Sequence, residues 1–257
     1  MNTIQKQQIS VLIITFNEER FIKELLDDID FADEIIIVDS FSNDRTVEII
    51  ESFPAVKLIQ HKFTDYSSQR NFALKEAKND WVLFIDADER ITPALKKEIE
   101  IAANSNNNVS AYLVYRTFMF KNRKLRFSGW QTDKIFRLFK KNDCFYSKDR
   151  MVHEKLLVNG NTAVLKNKLI HYSYSNYNDY KLKMYNYGIF KANEKFKKKH
   201  NKSKFLLFLH PTYTFLYQFI IRFGFLDGAR GIVICYLNAY SVYVRYKELN
   251  RIISSRI

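Results

Sequence analysis

The sequence predicts an α/β fold: a Rossmann-like mixed sheet with helices on both faces, followed by a C-terminal helical, basic and aromatic extension. Short apolar runs recur at residues 11–16, 34–39, 56–60 and 81–86. Helix-compatible segments separate them. After a polar loop at 104–108 the pattern changes, first to mixed strands and then to a basic, aromatic tail.

Each element has a local reason. Residues 11–16 read as a first strand, and 18–28 as a helix with Phe21, Ile22, Leu25 and Leu26 on one face. Residues 34–39 are nearly all apolar, as expected of a strand covered on both faces. A helix over 46–52 follows Ser42, Asn43 and Asp44, which are good capping residues. Residues 56–60 form a third strand, 67–77 a helix, and 81–86 a fourth strand. A helix over 92–103 carries Pro93 in its first turn, where proline fits. Further strands are expected over 111–120, 135–140 and 162–171. From Tyr180 onward the chain reads as helical and basic. Residues 205–246 are apolar and aromatic, broken by Pro211 and the 224–231 stretch.

Composition narrows the class. The chain has 257 residues and a formal net charge of +13, which attracts polyanions such as nucleic acid, anionic lipid or phosphorylated substrates. The basic excess lies in 116–141 and 181–204, so it belongs to the second half. Cys144 and Cys235 stand far apart with no CxxC pattern, which fits a reducing compartment and no disulfide framework. The apolar run after the polar N-terminus is too short for a signal-peptide core.

The most informative segment is Trp81-Val82-Leu83-Phe84-Ile85-Asp86-Ala87-Asp88-Glu89, an apolar strand ending in two carboxylates. Asp86 and Asp88, spaced i, i+2, can project from the same side of an extended backbone. Two hard oxygen ligands there suit a divalent cation that carries a diphosphate. Ligands of open α/β sheets bind at that end. The plainer alternative is an acidic turn capping the next helix. No GxGxxG follows the first strand and no GxxxxGK[ST] exists, which argues against dinucleotide and P-loop sites. Instead the first two strands end in Thr15-Phe16-Asn17-Glu18-Glu19 and Asp39-Ser40-Phe41-Ser42-Asn43-Asp44. These polar groups could meet a base and a ribose. Helix capping by Asn17, Asp39 and Ser42 is the alternative.

Taken in order, Thr-Phe-Asn-Glu-Glu, Ile-Val-Asp-Ser-x-Ser-x-Asp-x-Thr, Gln69-Arg70-Asn71 and Phe-Ile-Asp-Ala-Asp-Glu resemble the family 2 glycosyltransferases over residues 9 to 175. Val152-His153-Glu154 and Ile170-His171-Tyr172-Ser173-Tyr174 extend the likeness to the lipopolysaccharide core biosynthesis β-1,4-glucosyltransferases. The resemblance implies a GT-A fold and a nucleotide-diphosphate-sugar donor. It implies a catalytic domain over 1–178, with a nucleotide-sugar half at 1–103 and an acceptor half at 104–178. The helical extension is then 179–257.

The resemblance also implies residue roles. Thr15, Asn17, Glu18 and Asp39 would contact the nucleoside of a UDP-sugar. Arg70 would hold the diphosphate or the uracil edge; without the resemblance it reads equally as a solvated helix residue. Asp86 and Asp88 form the DXD element. Asp88 would ligate Mg2+ or Mn2+, and Asp86 the ribose or metal-bound water. His171 is a further candidate ligand, with a structural histidine as the alternative. An inverting transfer needs a carboxylate near the acceptor hydroxyl. Glu154 is the implied base, although His153-Glu154 departs from the commoner Glu-Asp pair. Simple ion pairing is its alternative role. Trp130, Gln131, Arg137 and His153 fall on the acceptor side.

The expected activity is inverting transfer of a sugar, glucose by the subgroup likeness, to a glycolipid or lipopolysaccharide-core acceptor. Residues 195–204 are polybasic and run into Phe205-Leu206-Leu207-Phe208-Leu209. That pairing suits an anionic cytoplasmic leaflet. The expected location is cytoplasmic, peripheral on the inner face of the membrane. Packing on the catalytic domain or forming a homodimer is the tail's alternative use. A nucleotidyl-transfer or nucleic-acid-binding protein using the same aspartates is the competing function. The basic residues flank apolar runs and match no nucleic-acid-binding motif, so no nucleic-acid partner is expected.

Overall fold

The computed structural model describes residues 6–105, 107–147, 155–174, 176–198 and 203–255. The chain divides into two compact units, Met1–Arg116 with Lys134–His171, and Thr117–Asp133 with Tyr172–Ile257.

The first unit is built on β1 (Ile9–Thr15), β2 (Glu34–Asp39), β3 (Val56–Gln60) and β4 (Trp81–Phe84). They lie in the order β3-β2-β1-β4, and every pairing among them is parallel. β8 (Lys134–Lys140) then joins β4 antiparallel, β6 (Val109–Phe120) joins β8 antiparallel, and the two-residue β7 (Arg123–Lys124) pairs antiparallel with the end of β6. The sheet is therefore mixed, as expected. β5 (Glu89–Arg90) and β12 (Leu169–Tyr174) pair antiparallel, with His171 opposite Glu89.

The alternation of side chains explains the buried strands. Val11, Ile13, Leu83 and Ile85 enter one core cluster, while Leu12, Val82 and Phe84 enter the other. A strand covered on both faces needs no polar side. The helices α1 (Ile22–Asp28), α2 (Thr46–Glu51), α3 (Tyr66–Glu76) and α4 (Pro93–Asn104) complete the covering layers. Asp65 caps α3 by accepting from the Ser68 N–H at 2.8 Å. Thr92 caps α4 through Leu95 N–H at 3.2 Å, with Pro93 in the first turn as expected.

Three expectations for the first unit differ from the structure. The first helix begins at Ile22, because Asn17 lies at φ 57° and the Glu18 and Glu19 N–H groups go to Thr46 and Asp44 side chains. The strand expected at 162–171 is two, β11 (Asn161–Val164) and β12. Glu98 captures the Lys166 and Asn167 N–H groups between them, at 2.7 and 2.8 Å. The fourth strand stops at Phe84, so strand alternation no longer governs Asp86 and Asp88.

The second unit is mainly helical: α5 (Tyr177–Lys197), α6 (Lys204–Leu216) and α7 (Ala229–Ser254). Gly188 of α5 lies so close to α7 that a Cβ there would meet Ser241 O at 2.7 Å and Val244 Cβ at 2.8 Å. α6 runs through Pro211 instead of breaking there. The backbone changes at Tyr217–Ile221, a π-helical turn, and at Gly224–Asp227, a 3-10 turn. No helix among the described residues is long and apolar enough to cross a membrane.

Candidate active site

The carboxyl ends of β1, β2 and β4 carry the expected polar residues. Thr15 Oγ1 donates to Asp39 Oδ1 at 3.0 Å, joining the ends of neighbouring strands. Asp39 Oδ2 also accepts the Ser42 N–H at 2.8 Å. Asn17 Oδ1 accepts from Asn43 N–H at 2.9 Å, and Ser42 Oγ accepts from Asn17 N–H at 2.8 Å. None of these bonds is a helix cap, because α1 and α2 follow Phe21 and Arg45 without a side-chain cap; they lace two loops together and leave a pocket beside them. That pocket has a volume of about 410 Å³ and is lined by Thr15, Phe16, Ser40, Phe41, Phe63 and Tyr66. Phe16 and Phe41 are 55% and 58% exposed. Phe41 and Asn17 both hold left-handed backbone angles, φ 61° and 57°, which L-residues seldom adopt outside constrained sites.

Beyond β4 the two aspartates take different partners. Asp86 Oδ1 accepts from Arg70 Nη2 at 2.7 Å, and Asp86 Oδ2 accepts from Arg137 Nη2. Arg137, on β8, also donates to Glu89 Oε1 at 2.6 Å. Arg116 on β6 lies 3.6 Å from the same Glu89 oxygen. Arg70 comes from the buried face of α3, is 5% exposed, and stacks on Phe84 with its guanidinium carbon 4.5 Å from the ring centroid. It is therefore not a solvated helix residue. Glu89 is fully buried and Arg137 is 1% exposed.

Burial and charge compete over the ionisation of this cluster, with opposite outcomes at its two acids. Burial opposes the charged form of Asp86, but the guanidiniums of Arg137 and Arg70 outweigh it and hold the carboxyl well below the usual carboxylate range. Burial pushes the Glu89 carboxyl up, the Asp86 charge adds to the rise, and Arg137 opposes it. Arg137 is held firmly protonated, with Asp86 and Glu89 outweighing its burial.

Asp88 meets an imidazole. Its Oδ2 lies 3.1 Å from His171 Nε2, brought across by the β5–β12 pairing. One carboxylate and one imidazole fit a divalent cation that fills its remaining positions with phosphate oxygens and water. No group of three or more His, Cys, Asp or Glu side chains able to hold a metal exists among the described residues. The pair suits an open, substrate-completed site and not a closed structural one.

The base candidate Glu154 and its neighbour His153 lie outside the described residues. The ends of that segment are fixed: Ser147 N–H donates to Lys155 O at 3.0 Å, and β9 (Cys144–Tyr146) pairs antiparallel with β10 (Leu156–Val158). Asn71 of α3, next to Arg70, clasps the Tyr146 backbone at 2.7 and 2.9 Å. Trp130 and Gln131 belong to the second unit, in a 3-10 turn Trp130–Thr132. The Trp130 ring packs on Phe118 at 4.3 Å between centroids. Arg137 belongs to the buried network around Asp86.

Sequence reasoning overlooked Glu89, Arg116 and the aromatic residues at 16, 41, 63 and 66. A signal existed for the last group: an aromatic residue stands one to three positions beyond each of the first three strands.

The mixed sheet, with an aromatic pocket and an acidic–basic cluster at the carboxyl ends of its strands, has the GT-A fold of nucleotide-sugar transferases. The chain belongs to glycosyl transferase family 2, whose family model matches residues 10–171. It is 29% identical over 97% of its length to an uncharacterized glycosyltransferase of Rickettsia conorii, covering 92% of that protein. It is 25% identical to the lipopolysaccharide core biosynthesis glycosyltransferase LpsC of Rhizobium meliloti, over 95% of this chain and 92% of that one. Among solved structures, S. aureus TarS 1-349 in complex with UDP-GlcNAc superposes with a TM-score of 0.52 at 18% identity, over 97% of this chain and 92% of that one. A second S. aureus TarS structure gives 0.51 at 21% identity, covering 69% of this chain and 39% of the other. These likenesses establish the fold.

Proposed function

We propose that this family 2 glycosyltransferase moves glucose, with inversion, from UDP-glucose to a lipid-linked or lipopolysaccharide-core glycan at the inner face of the cytoplasmic membrane. The observation that carries the reading is Asp86, fixed between Arg70 and Arg137 at the end of β4, with the Asp88–His171 pair beside it. The acceptor class is supported by the name of the LpsC relative, and glucose by the subgroup likeness of the motifs.

In this reading the uracil stacks among Phe16, Phe41, Phe63 and Tyr66, which exclude water from its faces. Thr15 and Asp39 meet the base and ribose, with Asn17 and Glu18 holding the loop around them. Arg70 and Arg137 keep Asp86 ionised and in one place, so that its free lone pairs accept from the ribose or from metal-bound water. Asp88 and His171 would hold Mg2+ or Mn2+. Such a cation neutralises the charge of the departing diphosphate as a Lewis acid. Glu154 takes the proton of the attacking acceptor hydroxyl. His153, Trp130 and Gln131 serve the acceptor.

The tail supports a membrane-surface location. Phe205, Phe208, Leu209, Tyr213, Leu216 and Ile220 are exposed at helical spacing. Lys197, Lys198 and Lys204, which precede this stripe in sequence, are exposed. An apolar stripe preceded by exposed cations suits an anionic bilayer interface. Residues 199–202 of the basic run lie outside the described residues.

A donor screen with a glycolipid acceptor tests the reading. UDP-glucose should transfer in preference to UDP-GlcNAc, UDP-galactose and GDP-mannose, and the product should carry a β-linkage by NMR. An α-linked product, or preference for a guanine nucleotide sugar, contradicts it.

A further inference from the structure

The second unit contains a cavity that the donor chemistry does not use. Its volume is about 440 Å³, and Trp130, Tyr187, Gln218, Asn238, Ser241 and Arg245 are among its walls. Trp130 and Arg245 stand in its wall, and their Nε1 and Nε atoms are shielded from solvent without a hydrogen-bond partner, which is rare in a folded protein. The amides are ordered for binding: Tyr180 Oη donates to Asn238 Oδ1 at 2.7 Å, and Asn238 Nδ2 donates to Gln218 Oε1 at 2.9 Å.

Tyr187 and Arg245 are shared with an adjoining cleft of about 330 Å³, whose other walls are Lys191, Glu194, Lys195 and Lys198. Four cations thus face one carboxylate. Glu194 is already engaged, by Lys191 at 2.8 Å and Lys198 at 3.0 Å. Arg245 makes no ion pair among the described residues. Burial, and then repulsion from Arg245 and Lys198, lowers the pKa of the Lys195 ammonium. Uncompensated positive charge beside a polar cavity with an indole wall calls for an anion joined to a hydroxyl-rich body.

We propose that the second unit binds an anionic sugar residue, one bearing a phosphate or a carboxylate. Its hydroxyls occupy the cavity against Trp130, Gln218 and Asn238, and its anion meets Arg245, Lys195 and Lys191. Identifying this sugar with part of the acceptor rests on the transferase reading above; the binding site itself does not. The charge requirement separates it from a neutral-glycan groove, and the indole and amides separate it from a bare phosphate site.

The test uses the full chain without donor, titrated with glucose 6-phosphate, galacturonate, glucose and inorganic phosphate. Calorimetry gives affinity, and Trp130 fluorescence reports occupancy, since Trp81 is the chain's other tryptophan. At least one anionic sugar should bind saturably, about tenfold tighter than glucose and than phosphate alone. The response of the two anionic sugars tells phosphate from carboxylate. Arg245→Gln should weaken binding about tenfold or more, and Trp130→Phe should weaken it and remove the optical signal. Lys195→Ala, at the cleft edge, gives the same readout if Arg245→Gln unfolds. Absence of saturable binding, equal binding of phosphate alone, or binding indifferent to these substitutions overturns the proposal. UDP titration of the same samples keeps the two readings apart: UDP binding that persists without sugar binding removes this site and leaves the transferase reading intact.

Discussion

Arg137 reaches from β8 to donate to Asp86 and Glu89 at once, with its side chain almost fully buried. One guanidinium thereby separates two carboxylates three residues apart in sequence. Removing it leaves the fully buried Glu89 beside Asp86, which is 27% exposed and still paired with Arg70. Arg137→Met should cost about 3–5 kcal/mol of stability, as breaking a buried ion pair from one side does. Chemical denaturation measures it. A loss under about 1 kcal/mol, the range of exposed pairs, would show that the network is solvated.

The same cluster predicts opposite pH limbs. Asp86 is held below its ordinary value of 3.8, so its contribution is present above that pH and is lost as the pH falls. Glu89 is pushed above its ordinary value of 4.5, so its contribution is present below that pH and is lost as the pH rises through the folded value. Asp86→Asn should flatten the acid limb of the denaturation midpoint, and Glu89→Gln the opposite one. Parallel wild-type and variant curves across the acidic and neutral range would refute the assignment.

Phe41 combines strain with exposure, at φ 61° on the rim of the aromatic pocket. Phe41→Gly relieves the left-handed backbone while deleting the ring. Stability should stay within about 0.5 kcal/mol, whereas affinity for UDP should fall roughly five- to 100-fold, the range of one lost base stack. Melting curves and UDP titration on one preparation separate the two effects.

His171 supplies the nitrogen of the Asp88 pair. Imidazole favours Mn2+ over Mg2+, whereas carboxylate serves both. His171→Ala should therefore weaken Mn2+-supported UDP binding about tenfold more than Mg2+-supported binding. Equal losses with the two ions would mean that the imidazole is not a ligand.

The apolar stripe on α6 makes a prediction of its own. Phe208→Glu with Leu216→Glu should abolish flotation with vesicles rich in phosphatidylglycerol, with little effect on stability because both side chains are exposed. If the variant floats unchanged while the wild type sediments as a dimer, the face belongs to a second copy.

The parallel half of the sheet was legible because strands buried on both faces announce themselves as apolar runs, as at 34–39 and 81–84. The strand ends were legible too, since Thr15, Asp39, Asp86 and Asp88 interrupt those runs with polar groups. What periodicity could not reach was partnership. Nothing local says that Arg137 lies beside Asp86; that follows from the antiparallel register of β8 on β4, set by residue pairs 55 to 59 positions apart. The split between β11 and β12 was hidden for the same reason, because Glu98 of a distant helix takes the backbone donors of Lys166 and Asn167. Pro211 misled in the opposite direction: it suggested a break, yet α6 runs through it.

Calorimetric titration with UDP, with and without Mn2+, on the wild type and Asp88→Ala tests the central claim most directly. The account predicts saturable UDP binding that needs the ion and disappears in the variant, with the fold retained. Tight UDP binding that ignores both Mn2+ and the loss of Asp88, or no UDP binding under any condition, would contradict the placement of the donor site at the end of β4.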